Sequence, residues 1–350
     1  MAIELSAFNG GQQSVLRIDD PVSGAKGYIV VDSTVLGPAM GGCRFWRYDS
    51  DADALEDAQR LGRGMSLKNA MAGLPVGGGK TVLQAPDGAF DREAVFAAFG
   101  HALNAFAGDY LTAEDVGTGE RDMEVVRSVS PHVFGLPSRD GVAGGNPSRW
   151  TALGVFSALQ ALVERSGGRL DRTKVAVQGV GSVGSVLCEL LHQQSVELVV
   201  ADVDERAVAR LAARLPVEIS DVATIHQTDA TVFAPCALGA GVNERTIASL
   251  GASMVVGAAN NQLATEADGD LLHRRGVLYA PDYVVNAGGV INVAAEYLGE
   301  SQADVESRVV GIGQRILVVI ARAEAEGIAP STAADQMAGQ LLARRRTVLA

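Results

Sequence analysis

Cysteine is scarce in this chain. Only Cys43, Cys188 and Cys236 occur among 350 residues, odd in number and far apart. That excludes a disulfide framework and a thiolate zinc site, and it fits reduced thiols. No metal is expected. Aromatic residues make up only 5%, and the 29 Lys and Arg are outnumbered by 41 Asp and Glu, for a net charge of -12. A surface this acidic repels phosphate backbones and anionic lipid, which argues against nucleic-acid and membrane partners. The one dense basic run, Arg344-Arg345-Arg346, reads as a solvated helix end. Long apolar runs are missing as well: no stretch reaches the roughly 20 residues of a membrane helix. Met1 to Gly11 carries Glu4 and lacks the basic-then-apolar order of a secretory leader, so a cytoplasmic setting is expected. Internal repeats and low-complexity linkers are also lacking.

What is present is ample core material, 47% apolar, in a chain longer than one core usually serves. Two domains are expected. The first half reads as mixed strand and helix. Ser14 to Ile18 and Gly27 to Asp32 flank a turn and form a hairpin, and a glycine-rich stretch follows at Gly37 to Gly42. Asp51 to Leu74 reads as a long helix. A turn-rich block, Pro75 to Gly79, leads into a strand at Thr81 to Gln84, and Arg92 to Phe106 reads as a helix. Composition changes at Pro137 to Pro147, the best hinge candidate. Beyond a helix at Thr151 to Arg165, strands and helices alternate, with apolar strands at Lys174 to Gln178, Glu197 to Asp202, Ala230 to Ala234 and Met254 to Ala259. Alternation with continuously apolar strands predicts a parallel sheet. The tail, Ala303 to Leu349, is helical in pattern with an interruption near Gly327 to Pro330.

The expected fold is therefore α/β, two domains separated by a cleft. Residues 1-136 form one domain, with C-terminal helices from about 326 to 350 packing back on it. Residues 137-325 form a Rossmann-type doubly wound parallel sheet.

Gly179-Val180-Gly181-Ser182-Val183-Gly184 fits Gly-x-Gly-x-x-Gly in its required setting, after an apolar strand and before an apolar helix. Gly179 permits the tight turn, Gly181 lets backbone approach a pyrophosphate, and Gly184 permits close helix–strand packing. The helix N-terminus, at Ser182 and Val183, faces the phosphates with its positive dipole end. Asp202 ends the next strand, where a carboxylate accepts from a ribose diol and repels a 2′-phosphate, so NAD is favoured over NADP.

Two lysines stand out in the first half. Lys68 lies in Met65-Ser66-Leu67-Lys68-Asn69-Ala70, and Lys80 follows Gly77-Gly78-Gly79. A lysine after three glycines suggests a loop that presses backbone against a ligand. The run is not a triphosphate-binding loop, because the first glycine of that pattern would fall at Leu74. Asp115 is a further ionisable group in a turn-like setting.

These segments carry a resemblance. Leu36-Gly37-Pro38-Ala39-Met40-Gly41-Gly42, the Lys68 and Lys80 segments, Thr112-Ala113-Glu114-Asp115-Val116-Gly117-Thr118 and Gly145-Asn146-Pro147-Ser148 are five of its motifs. Ala234-Pro235-Cys236-Ala237, Gly257-Ala258-Ala259-Asn260-Asn261-Gln262-Leu263 and Pro281-Asp282-Tyr283-Val284-Val285-Asn286-Ala287-Gly288-Gly289 continue it in order. The sequence resembles the glutamate/leucine/phenylalanine/valine dehydrogenase family from about Gly24 to Gly299, closest to its leucine and valine dehydrogenases. The resemblance implies NAD-dependent oxidative deamination of an amino acid to its 2-oxo acid and ammonium.

It also implies roles. Lys68 would bind the substrate carboxylate, Lys80 would be the base that activates water, and Asp115 would shuttle the proton at the amino group. The backbone at Gly41 and Gly42 would help hold the substrate. Thr151 and Asn261 would contact the nicotinamide end, Asn286 would bridge substrate and cofactor ribose, and Cys236, Ala237 and Asn260 would border the cofactor. Attack of water on an iminium carbon needs a base active near neutral pH, and burial beside a second cation is how a lysine becomes one.

The side-chain pocket implied by the resemblance is lined by Met40, Ala113, Val290 and Val293, all apolar. A glutamate side chain would leave a carboxylate unpaired there, at a cost of several kcal/mol. A branched-chain substrate is favoured, with an aromatic amino acid (phenylalanine or tryptophan) as the alternative, because Met40 can repack. Trp150, beside Arg149, is either a wall or stacking surface of that pocket or a core residue of the helix start. A non-catalytic NAD-binding module is the reading from another class, and it would predict loss of Lys80 or Asp115. The resemblance further implies an even-numbered homo-oligomer, an octamer or a dimer.

Overall fold

The computed structural model describes residues 2–6, 13–137, 141–237 and 239–348, without the side chains of 2–6 and 344–348. The expected solvation of Arg344 to Arg346 thus concerns side chains outside the described residues. The chain forms two compact units: Met1–Asn146 with Asn292–Gln302 and Ala338–Ala350, and Pro147–Ile291 with Ala303–Met337.

Unit 1 is built on a six-stranded mixed sheet. Its strands are β1 (Ala2–Ser6), β2 (Ser14–Asp20), β3 (Ala25–Ser33), β4 (Ala39–Trp46), β5 (Gly77–Gln84) and β6 (Tyr110–Glu114), in the order β1-β2-β3-β5-β4-β6. The expected hairpin is β2–β3. Its turn closes through Gly24 N–H on Asp20 O at 2.8 Å, with Gly24 at a φ of +76° that other residues adopt at a cost. From β5 outward, β4 and β6 run parallel to it.

Side chains alternate across this sheet, so each face has its own core. Helix α1 (Asp51–Met71), capped by the Ser50 side chain on Asp53 N–H, lays Ala54 and Ala58 against Tyr28, Val30 and Val82. Helices α2 (Arg92–Leu103) and α3 (Glu120–Val129) bury Phe96, Phe99, Met123 and Val126 against Leu16, Ile29, Phe45 and Leu83 on the other face. Each such side chain contributes about 1.5–3 kcal/mol of burial.

Within the glycine-rich stretch Gly37 to Gly42, β4 begins at Ala39. One expectation needs correction here. Gly77 to Gly79 belongs to β5, buried, and not to a turn that presses on a ligand. The reason is packing: a Cβ on Gly78 would lie 2.1 Å from Ser66 N, so glycine there lets α1 settle on the strand.

Unit 2 carries α4 (Ser148–Arg165) and then strands β7 (Lys174–Gln178), β8 (Glu197–Ala201), β9 (Glu218–Ile219), β10 (Val232–Pro235), β11 (Met254–Val255) and β12 (Leu278–Tyr279). All pair in parallel, in the order β12-β11-β10-β7-β8-β9. The chain winds outward from β7 on one side, then returns past β7 and winds outward on the other. This is the doubly wound dinucleotide-binding order, with its switch point between β7 and β10. The connecting helices are α5 (Ser182–Gln193), α6 (Glu205–Ala212), α7 (Glu244–Ala248) and α8 (Glu266–Arg274), and α9 (Asp282–Val285) follows the last strand. Then follow α10 (Gly288–Leu298), α11 (Gln302–Val310), α12 (Ile312–Glu326) and α13 (Pro330–Val348).

The first boundary between the units falls at Asn146 to Pro147, later than the sequence boundary at 136/137. Gly145 N–H donates to Leu136 O at 2.9 Å and Gly144 N–H to Asn292 Oδ1 at 3.0 Å, which keeps this segment with unit 1. Of the expected hinge, 138–140 lie outside the described residues. Near the C-terminus only 338–350 belongs to unit 1. Helix α12 stays in unit 2 because Gly313 sits against the Ser157 carbonyl of α4, where a Cβ would come within 2.8 Å. Among the described residues no helix is long and apolar enough to cross a membrane.

Candidate active site

In unit 1 the charged groups gather on the α1 face of the sheet. Lys80 on β5 is buried, its side chain 6% exposed, and its Nζ lies 2.8 Å from Asp115 Oδ2. Asp115 follows β6 in a short turn, pinned by its own N–H on Thr118 Oγ1 at 2.8 Å, while that hydroxyl donates to Cys43 O at 2.9 Å. Gly42 faces Asp115 directly: a Cβ on Gly42 would lie 2.8 Å from Asp115 Cβ, so glycine there admits the carboxylate. Burial pushes the Asp115 carboxyl up, but Lys80 and then Arg44 outweigh it and hold the group below the usual carboxylate range.

The neighbouring backbone is fixed by side chains of the same motifs. Asn69 Nδ2 donates to Gly77 O at 2.5 Å and to Met40 O at 3.3 Å. Tyr110 OH donates to Gly41 O at 3.0 Å. Lys68 lies half-buried in the last turn of α1, one turn beyond Met65, which touches Gly41. Met40 is buried, and Ala113 and Val293 converge beside Gly135, where a Cβ would lie 3.5 Å from Ala113 Cβ and 3.7 Å from Val293 Cγ2. Val290 is one helical turn before Val293 on α10.

Sequence reasoning missed Arg44. Its Nε lies 3.3 Å from Asp115 Oδ2 and its Nη1 2.8 Å from Asp57 Oδ2. The available signal was a charged residue between buried Cys43 and Phe45, in phase with Gly42 on β4.

In unit 2 the predicted residues lie where β7, β8, β10 and β11 end. Gly179, at a φ of +95°, abuts Cys236 and Ala237, and a Cβ there would lie 2.7 Å from Ala237 N. Those two segments follow β7 and β10, the strands flanking the switch point. A Cβ on Gly184 would lie 2.0 Å from Gly179 O, so α5 packs tightly on the turn. Gly181 differs: a Cβ there meets nothing within 4 Å among the described residues, and Gly181 and Ser182 are exposed at the start of α5, with Val183 half-buried. Protein packing does not demand a glycine at 181, whereas a ligand lying on the backbone would.

Asp202 Oδ2 accepts from Val180 N–H at 2.7 Å and Oδ1 from Asp204 N–H at 2.9 Å. The carboxylate thus braces the glycine turn, and each oxygen keeps a lone pair for a ribose hydroxyl. Asn286 is 3% exposed. Its Nδ2 donates to Ala258 O at 3.1 Å and to Asn260 Oδ1 at 2.9 Å, while its buried Oδ1 has no partner among the described residues. Asn261 holds the left-handed conformation at a φ of +51°. Asp282 Oδ2 accepts from Gln262 N–H at 2.9 Å and so holds the end of that turn. Thr151 is half-buried in the first turn of α4, its Oγ1 3.0 Å from where a Gly289 Cβ would sit. Trp150 is 2% exposed and its ring carries the Arg149 guanidinium, 4.4 Å from the centroid; it is a core residue of the helix start.

Cys43 and Cys188 are buried and Cys236 half-buried; burial pushes all three thiols up, Cys236 to about 12, which makes them poor nucleophiles. No group of acidic, His or Cys side chains among the described residues has the makings of a metal site.

Comparison with known proteins places this arrangement. Residues 12–130 match the model of the Glu/Leu/Phe/Val dehydrogenase dimerisation domain. Residues 144–210 and 203–338 match that of Glutamate/Leucine/Phenylalanine/Valine dehydrogenase. The chain is 42% identical to the leucine dehydrogenase of Geobacillus stearothermophilus over 95% of its own length and 91% of that protein's. It is equally, 42%, identical to the valine dehydrogenase of Streptomyces albus, over 96% and 94%. Among solved structures, the L-tryptophan dehydrogenase of Nostoc punctiforme superposes with a TM-score of 0.84 at 35% identity, covering 96% of this chain and 97% of that one. The chain is thus an amino-acid dehydrogenase, and it belongs to the glutamate/leucine/phenylalanine/valine dehydrogenase family.

Proposed function

We propose that this dehydrogenase interconverts a branched-chain L-amino acid with its 2-oxo acid and ammonium, using NAD. The observation that carries the chemistry is the pair of buried Lys80 and half-buried Asp115, 2.8 Å apart, beside the Gly41–Gly42 backbone. Unit 1 is read as the substrate-binding and oligomerising part and unit 2 as the cofactor-binding part. The assembly is read as an even-numbered homo-oligomer, octamer or dimer, in the cytoplasm.

NAD, when bound, supplies the acceptor for the hydride on the substrate Cα. The open space over Gly181, the exposed N-terminus of α5 and the unpaired Asn286 Oδ1 fit a dinucleotide whose ribose or amide reaches into unit 2. The Asp202 carboxylate favours NAD, since a 2′-phosphate there would meet a fixed negative charge. Thr151, Asn260 and Asn261 are assigned to the nicotinamide end, and Cys236 and Ala237 to the border of the dinucleotide.

Lys68 holds the substrate carboxylate. Asp115, held ionised, takes a proton from the substrate ammonium. Lys80 takes a proton from water as its oxygen adds to the iminium carbon. Asp115 then returns a proton to nitrogen, and as the C–N bond breaks and ammonia leaves, the new hydroxyl gives its proton to the freed Asp115 carboxylate and becomes the carbonyl. Met40, Ala113, Val290 and Val293 offer only apolar surface to the side chain. Trp150, the residue that pointed toward an aromatic substrate, is committed to the core of unit 2. Initial rates of NADH formation with leucine, valine, phenylalanine, tryptophan and glutamate test the reading. Leucine or valine is expected to have the highest kcat/KM, and an aromatic preference would overturn the pocket assignment.

A further inference from the structure

We infer that Arg44 is a positioning residue of the reaction, its guanidinium anchored by Asp57 and holding the Asp115 carboxylate in place and charged while Lys80 changes protonation. The inference rests on the proton-shuttling role proposed for Asp115.

The geometry is a chain of shared oxygens. Arg44 Nε and Lys80 Nζ both reach Asp115 Oδ2, at 3.3 and 2.8 Å. The far edge of the guanidinium is taken by Asp57 Oδ2 at 2.8 Å. Asp57 is fixed in turn: Tyr48 OH donates to the same Oδ2 at 2.6 Å, and Arg60 donates to Oδ1 at 2.8 Å. Arg44 and Asp57 are both largely buried, with side chains 21% and 14% exposed. A planar fork held at one edge presents its other edge in a fixed direction, which a flexible lysine cannot do.

The chemistry needs such a group. A base at position 80 is uncharged for part of each turnover. During that part Asp115 loses the cation 2.8 Å away, and a poorly solvated carboxylate without a partner tends to take up a proton. Arg44 stays charged at every working pH. It therefore keeps Asp115 ionised and aimed through the steps in which Lys80 is neutral. The acid beside this carboxylate pushes the opposite way, Glu114 being adjacent on β6, whereas the buried Cys43 thiol and Tyr110 phenol are pushed up by burial and stay neutral. Lys80 from β5 and Arg44 from β4 are the cations that touch it.

The test is the pH profile of kcat/KM for the amino acid, measured on the full-length enzyme and its Arg44→Gln, Arg44→Lys, Asp57→Asn and Asp115→Asn variants. Thermal melting confirms the fold of each. The acid limb reports loss of the last proton shared by Asp115 and Lys80, and removing a cation beside them makes that loss harder, so in Arg44→Gln the limb moves to higher pH, by about one unit. Arg44→Lys restores most of the limb but not the full rate. Asp57→Asn, which touches no reacting group, removes an anion and frees the guanidinium from its anchor, so it lowers the rate without moving the limb to higher pH. A uniform rate loss with an unmoved limb in Arg44→Gln is what a merely structural arginine would give, and it overturns the inference. If Arg44→Gln does not fold, Arg44→Lys decides: a reduced rate on a near wild-type limb supports the inference, and a wild-type rate overturns it. An inactive Asp115→Asn with an unmoved Arg44→Gln limb defeats the role of Arg44 alone. An Asp115→Asn variant with wild-type turnover defeats the reading of Asp115 itself.

Discussion

Lys80 and Asp115 lie 2.8 Å apart, and their replacement should separate binding from chemistry. Lys80→Ala is expected to lower kcat by about 10²–10⁴-fold, the usual worth of a positioned proton-transfer group. NADH binding, measured by fluorescence, should be unchanged, because the dinucleotide residues belong to unit 2. A weakened NADH affinity of similar size would contradict that separation. At Asp202 the substitution of choice is asparagine, whose Oδ1 still accepts from Val180 N–H and keeps the turn. The lost charge should shift the ratio of NADP to NAD efficiency upward by about tenfold, a difference of ~1.4 kcal/mol. An unchanged ratio would show that Asp202 serves the turn only. Lys80, Asp115 and Asp202 were legible in the sequence because each sits in a motif of distinctive residue types. Arg44 was not, since an arginine inside a strand announces itself only through the partners that folding brings to it.

Two glycines that look alike in sequence do different work at the scale of the element. Gly78 lets α1 lie on β5, and Gly78→Ala would place a methyl 2.1 Å from Ser66 N. The helix would have to lift, at a cost of about 1–3 kcal/mol, seen as a fall in Tm. Gly181→Ala meets no protein atom within 4 Å among the described residues, so its Tm should match wild type while its Kd for NADH rises. The reverse pattern, an unstable Gly181→Ala with normal NADH affinity, would contradict a phosphate-facing role. This contrast also explains which elements the sequence disclosed. The inner strands of unit 2, such as β7, β8 and β10, are largely buried on both faces and read as apolar runs. In unit 1, β4 and β5 carry Gly41, Gly42 and Gly77 to Gly79, residues that weaken a strand and read as turns. There the glycines answer to close packing at the sheet centre, a constraint invisible until α1, Tyr110 and Asp115 are in place.

The whole molecule joins a mixed sheet that holds the charged groups to a parallel sheet whose strand order is the one expected from the alternating pattern. The even-numbered assembly is checked by light scattering on a sizing column, where a monomer at working concentration would contradict it. A return of the C-terminal helices to the first unit was expected from about 326 and begins at 338, while the return of 292–302 was not expected, because nothing in local pattern says which core a helix joins. The most direct measurement of the central claim is NADH formation at alkaline pH with single amino acids, run beside Lys80→Ala. The account predicts turnover that is fastest with leucine or valine and lost in the variant. Failure to turn over any amino acid, or turnover that survives the loss of Lys80, would contradict it.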